Sequence, residues 1–213
     1  MSFQLLVFDF DNVLIDGYQI VELAKIVGKL SEMEQLMIAA YEDPSQFITS
    51  HMNAISLLKG LTLAEVYNTS TAFKIMKGAV QIVKWAKKLN LEIAVISNGY
   101  IETCEFAAKG LGINWVYANQ LLFLDGVSTG EMIPEVADPL SKATNLKKLL
   151  QILSFKQEEC IVIGDGLNDW PMMQIAGLSV AFNAHPELEN LADISVRSKD
   201  LTDVVERLVS YCE

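Results

Sequence analysis

QLLVFDFDNVLI, residues 4–15, decides the architecture. Gln4–Phe10, with four apolar residues in a row from Leu5 to Phe8, has no helical periodicity and reads as a strand buried on both faces. Two aspartates, Asp9 and Asp11, follow at once, and Val13-Leu14-Ile15 is apolar again. A carboxylate taken out of water costs several kcal/mol unless it is paired, and two close together repel. Carboxylates between such apolar flanks point to a site at the carboxyl end of the strand, where open parallel sheets bind their ligands.

Three further runs share the pattern: Leu91–Ser97, Cys160–Gly164 and Leu178–Phe182. Between and after them, residues 79–89, 101–111, 142–153, 169–176 and 201–211 carry helical periodicity. Strand–helix alternation predicts an α/β protein, a Rossmann-like three-layer sandwich around a parallel sheet. The span 16–77 breaks the alternation, with apolar positions such as Ile20, Leu23, Ala24 and Val27 at helical spacing and no convincing strand. About 60 residues is long for a single crossover, so the segment reads as a helical cap, domain 16–77, inserted into a core of 1–15 and 78–213. Asp125-Gly126, flanked by apolar residues, predicts a hairpin turn between Asn119 and Asp138.

Composition narrows the function. The 213 residues are 51% hydrophobic and 20% charged, which is globular, and the net charge of −11 argues against nucleic acid or an anionic membrane as partner. Three cysteines, Cys104, Cys160 and Cys212, form no C-x-x-C pair and are expected as reduced thiols in a cytoplasmic protein. The first residues lack a basic start, and no apolar run is long enough to span a bilayer.

Three more elements stand at strand ends. Gly164-Asp165-Gly166-Leu167-Asn168-Asp169 places two more aspartates and an asparagine after a strand. Carboxylates converging there with Asp9 and Asp11 call for a hard divalent cation with oxygen ligands, Mg²⁺ when a phosphate completes the shell. Ser97-Asn98-Gly99, between a strand and a helix, offers a hydroxyl and backbone N–H groups to a phosphate. Lys142 opens a helix; a lone lysine is ordinarily solvated, and only its company marks it.

Taken in order, Asp9-Phe10-Asp11-Asn12-Val13, Ser97-Asn98-Gly99, Lys142 and Gly164 to Asp169 resemble the four motifs of the haloacid dehalogenase superfamily, and the inserted segment resembles the helical cap of its phosphoserine phosphatase-like branch. The resemblance implies a phosphomonoester hydrolase with Asp9 as nucleophile and Asp11 as acid and base. It implies Mg²⁺ held by Asp9, the Asp11 carbonyl and Asp165, with Asp169 ordering the shell. Ser97, Asn98, Lys142 and Asn168 would bind the phosphoryl oxygens. Two other readings stand beside this one: phosphoryl transfer to an alcohol acceptor, which the motifs do not separate from hydrolysis, and, in another class, a receiver-like protein phosphorylated on aspartate as a signal, which also has carboxylates, a metal and a lysine at the ends of parallel strands. A receiver has no helical insertion after its first strand.

The substrate expected is a small phosphorylated metabolite. Where the branch implies an acidic residue for a substrate amine, this chain has Tyr18, and near the place of a carboxylate-binding arginine it has Ala54. The only arginines are Arg197 and Arg207, so Lys59, Lys74, His51 and Glu22 are the substitutes within the cap. L-Phosphoserine is therefore not expected as the best substrate. His51 and His185 are read as surface or core histidines, and Met33, Met37 and Met52 mainly as core filler.

Overall fold

The computed structural model describes residues 3–212. Seven strands form one sheet in the order β4-β3-β2-β1-β5-β6-β7. They are β1 (Leu5–Phe8), β2 (Glu92–Tyr100), β3 (Trp115–Leu124), β4 (Val127–Ile133), β5 (Cys160–Gly164), β6 (Leu178–Phe182) and β7 (Ile194–Val196). All neighbours are parallel except β3 and β4, the predicted hairpin. Asp125 and Gly126 both take positive φ, 50° and 78°, the backbone a two-residue turn requires.

Alternation along the central strands separates two apolar layers. Leu6, Phe8, Ile93, Val95, Ile161 and Ile163 face α5 (Ala79–Lys88), α6 (Ile101–Leu111) and α10 (Thr202–Cys212). Leu5, Val7, Ala94, Ile96, Cys160 and Val162 face α7 (Pro139–Leu153), α8 (Trp170–Met173) and α9 (Pro186–Leu191). This is the expected three-layer sandwich. Strand β1 is its centre, paired with β2 on one side and β5 on the other. The chain runs outward from β1 to β2 and β3, then crosses back to β5, so the order reverses beside β1. That reversal opens a crevice above the strand ends.

Between β1 and α5 lie four helices: α1 (Gln19–Ile26), α2 (Leu30–Glu42), α3 (Phe47–Ser56) and α4 (Leu63–Ala72). They share a third apolar cluster of Leu23, Met33, Ile55, Leu58 and Val66, which Tyr100, Leu121 and Met132 join from the sheet side. The chain leaves and returns on adjacent backbone: Met76 donates to the Leu14 carbonyl at 2.9 Å and Asp16 to the Lys74 carbonyl at 2.8 Å. Lys74 also pairs with the Asp16 carboxylate.

Sequence expectation and structure differ in places. Strand β1 stops at Phe8, short of the expected Phe10, where the Asp9 carboxylate takes up the Lys142 ammonium and the Asp11 carboxylate the backbone N–H of Gln19. Helix α7 starts at Pro139, ahead of the expected Lys142: Asp138 caps it, accepting from the Ser141 N–H at 2.7 Å. The expected helix 169–176 is a 3-10 turn over Leu167–Asp169 followed by one turn of α8. Strand β7 and the parallel half of β3 were not expected. Cys104 and Cys160 are buried, and all three cysteines are unbridged. No helix among the described residues is long and apolar enough to cross a membrane.

Candidate active site

The ends of β1, β2 and β5 and the start of α7 meet under the four helices, around a cavity of about 360 Å³. Asp9 leaves β1 with its N–H still bonded to the Ile163 carbonyl at 2.9 Å, which fixes its backbone in the sheet. Its carboxylate accepts from the Lys142 ammonium at 2.7 Å, and the same nitrogen reaches Asp169 at 2.6 Å. Lys142 and Asp169 are both 0% exposed, so both charges of this pair are fully buried. The second oxygen of Asp169 accepts from the backbone N–H groups of Asp165 and Gly166 at 3.0 and 3.1 Å, which folds the loop after β5 around it. Gly164 leaves the room for this, since a Cβ there would sit 2.4 Å from Asp169 Oδ2.

One oxygen each from Asp9, Asp165 and Asp169 lies within 4.8 Å of the others. With Asp11 nearby, four carboxylates face one ammonium. Burial and the Asp169 charge push Asp9 above the usual carboxylate range despite Lys142. Asp165 is raised by burial, then by Asp9 and Asp169. Burial works to lower Lys142, but Asp169 and Asp9 hold it above its ordinary value. The excess negative charge, with hard oxygen donors this close, fits a divalent cation, and the residues present suit one.

Asp11 is held differently. Its carboxylate accepts from the backbone N–H of Gln19 at 2.7 Å and from the Gln19 side-chain amide at 3.1 Å. Burial nevertheless raises it from 3.8 to about 6, the two Gln19 bonds opposing. Its side chain is outside the three-carboxylate cluster.

On β2, the Gly99 N–H donates to Ser97 Oγ at 3.0 Å. Asn98 anchors to the Val136 carbonyl at 2.6 Å, and Asn168 donates to Asn98 Oδ1 at 3.0 Å, which ties the β2 and β5 loops together. All eight expected residues, Asp9, Asp11, Ser97, Asn98, Lys142, Asp165, Asn168 and Asp169, therefore come together here; seven line the cavity and Asp169 lies behind them.

Three contributors were not read from the sequence. Gln19 is completely buried; its Oε1 accepts from the Tyr100 N–H at 2.9 Å and from Thr103 while its amide holds Asp11. Asn12, at a positive φ of 55°, donates to Asp165 at 3.3 Å. Asn119 accepts from Val136 N–H at 2.9 Å and donates to the Asn98 carbonyl at 2.8 Å. Buried polar residues of this kind leave no periodic trace.

Both histidines line the cavity, and neither belongs to the carboxylate cluster. Met37 lines it too, whereas Met33 is core and Met52 is 48% exposed. Glu22, Lys59 and Lys74 are absent from the described lining; Glu22 pairs with Lys25 on the surface.

Comparison with known proteins agrees with this geometry. The family model for haloacid dehalogenase-like hydrolases matches residues 3–177. A phosphoserine phosphatase of Campylobacter jejuni subsp. doylei is 33% identical over 95% of this chain and 98% of its own length. One from Methanocaldococcus jannaschii is 32% identical over 95% and 96%. A solved structure of the phospho-aspartyl intermediate analogue of phosphoserine phosphatase superposes with a TM-score of 0.90 at 30% identity, covering all of both chains. The chain belongs to the haloacid dehalogenase-like hydrolase family. Within it, the chain falls in the phosphoserine phosphatase-like branch and is a phosphomonoester hydrolase.

Proposed function

We propose that the chain is a Mg²⁺-dependent phosphatase of a small phosphorylated metabolite, acting through an aspartyl-phosphate on Asp9. The observation that carries this reading is the meeting of Asp9, Asp165 and Asp169 oxygens within 4.8 Å, with Lys142 buried between Asp9 and Asp169. The relatives' phosphatase activity supports it.

In the first step a carboxylate oxygen of Asp9 bonds to phosphorus as the ester P–O bond breaks. Asp11 gives its proton to the departing alkoxide; a carboxyl raised to about 6 is protonated often enough near neutrality to do so. In the second step Asp11 takes a proton from water, the water oxygen bonds to phosphorus, and the Asp9–phosphorus link breaks to release phosphate. Lys142, Ser97, Asn98 and Asn168 bind the phosphoryl oxygens on which charge spreads. Asp9, Asp165 and the Asp11 carbonyl would hold Mg²⁺, which supplies positive charge against the meeting of two anions. Asp169, its oxygens already engaged by Lys142 and two N–H groups, orders that set.

Segment 16–77 acts as a cap domain over a core of 1–15 and 78–213, supported by its separate apolar cluster and its paired points of departure and return. The test is phosphate release from a panel of phosphomonoesters with MgCl₂ and with EDTA, for the natural chain and Asp9→Asn. Asp9→Asn is expected to lose at least roughly 10³-fold in kcat, about 4 kcal/mol of barrier. Near-normal turnover by the variant removes Asp9 as nucleophile.

A further inference from the structure

The catalytic floor of the cavity is strongly charged; the wall opposite is not. Residues of the helical segment that line it include Tyr18, Ile20, Leu36, Met37, Phe47 and His51. Among the described residues of that wall there is no Asp, Glu, Lys or Arg. Six of the segment's charged residues pair elsewhere: Glu22 with Lys25, Lys29 with Glu32, and Lys74 with Asp16, each pair with at least one partner well exposed.

Two titratable side chains stand on the wall, and neither is charged at neutral pH: burial raises the Tyr18 phenol and pushes His51 down to about 4. The His51 ring stacks on Phe47, with centroids 5.9 Å apart and planes 8° from parallel. Its Nε2 is out of solvent and has no hydrogen-bond partner among the described residues. The wall is thus largely aromatic and aliphatic, and its polar side chains, Tyr18, Gln19, Ser50 and His51, are uncharged. An ammonium or carboxylate pressed against it would give up water and gain no counter-ion, which low-dielectric surroundings penalise heavily. An uncharged apolar group would gain by leaving water. A volume of about 360 Å³ is at the small end for ligand sites, enough for a phosphate and a compact alcohol.

We propose that this site selects phosphomonoesters whose leaving alcohol is uncharged and largely apolar, seated on the Phe47–His51 wall, over esters of amino acids or amino alcohols. The inference deepens the phosphatase reading above and rests on it for the position of the phosphoryl group.

Two measurements separate the two claims. Turnover of benzyl and butyl phosphate is compared with that of L-phosphoserine and phosphoethanolamine by the full chain with MgCl₂. Binding of the same intact esters to the Asp9→Asn chain is followed by calorimetry. The uncharged esters are expected to lead in kcat/KM and in affinity by at least roughly 30-fold, about 2 kcal/mol. Met37→Arg and His51→Arg, from two different helices, are each expected to narrow the ratio against L-phosphoserine at least roughly 10-fold, mainly through KM, by supplying a cation for its carboxylate, with no gain for the ammonium of phosphoethanolamine; either one that folds serves.

Equal turnover of all four esters, or a lead for L-phosphoserine, overturns the selectivity and leaves the phosphatase standing. An unchanged ratio in a folded arginine variant also overturns it. Selective binding without turnover of any ester keeps the selectivity and removes the phosphatase. Neither binding nor turnover removes both.

Discussion

Gln19 donates to Asp11 twice, through its backbone N–H at 2.7 Å and its side-chain amide at 3.1 Å, while its Oε1 accepts from Tyr100 and Thr103. One side chain at the first position of α1 therefore locks the Asp11 carboxylate to the β2–α6 junction. Gln19→Leu keeps the backbone bond and loses the rest. Hydrogen bonds to charged groups contribute about 1.5–3 kcal/mol, so kcat is expected to fall roughly 10- to 150-fold with little change in KM. Steady-state kinetics on the folded variant decide this, and an unaltered kcat removes Gln19 as a positioning residue.

Gly99 tests the same restraint from the other side. A Cβ at this position would lie 1.8 Å from Gln19 Nε2 and 2.3 Å from its Cδ, so alanine must displace the amide. Gly99→Ala is expected to reproduce the kcat loss of Gln19→Leu, and the double variant to be no worse than either alone. Additive losses in that double-mutant cycle would show that the two residues act separately.

Lys142→Met leaves Asp9 and Asp169 buried with no cation between them. Removing one partner of a buried ion pair costs about 3–5 kcal/mol. That loss is expected in denaturant unfolding with EDTA at about pH 8, and less of it at about pH 5, where protonation relieves the remaining carboxylates. An equal loss at both pH values would mean that packing, not charge, is what Lys142 supplies.

The carboxylates also set a pH dependence in the chain stripped of metal by EDTA. Asp11 is raised from 3.8 to about 6, and Asp9 and Asp165 are raised too, so the folded state holds more protons than the unfolded one across this range. Their contribution to stability is complete below 3.8 and is lost as pH rises, through about 6 for Asp11 and about 7 for Asp9. Asp200 runs the other way, held down to about 2 by Lys77 and Thr202, and its contribution fades only in stronger acid. Tm in EDTA is thus expected to be higher near pH 5 than near pH 7.5, and MgCl₂ to raise Tm most at the higher pH, by mass action on deprotonated ligands. Scanning calorimetry in the two media checks the sign; a Tm in EDTA that climbs from pH 5 to 7.5 contradicts it.

Much of this molecule can be read from residue order because its central strands are buried on both faces. LLVF, CIVIG and LSVAF cannot sit anywhere else, and Asp125-Gly126 can hardly be other than a turn. Strand β7 escaped because three residues with one exposed, Ile194, Ser195 and Val196, give too short a pattern. The motif aspartates announce themselves as charges amid apolar runs. Gln19 does not: it is one polar residue at the start of a helix, and its significance lies in partners such as Thr103, 84 positions away. The helix start at Pro139 was legible in principle, since Asp138, Pro139 and Ser141 spell a capping box.

The hydrogen-bonded seam between Leu14–Asp16 and Lys74–Met76 has a consequence for inheritance. Everything strung between those two short stretches leaves and re-enters the core side by side. A lineage can therefore lengthen, trade or rebuild that loop of helices while the machinery at the strand tips stays in register. New preferences for an alcohol can arise this way without relearning how to break a phosphate ester.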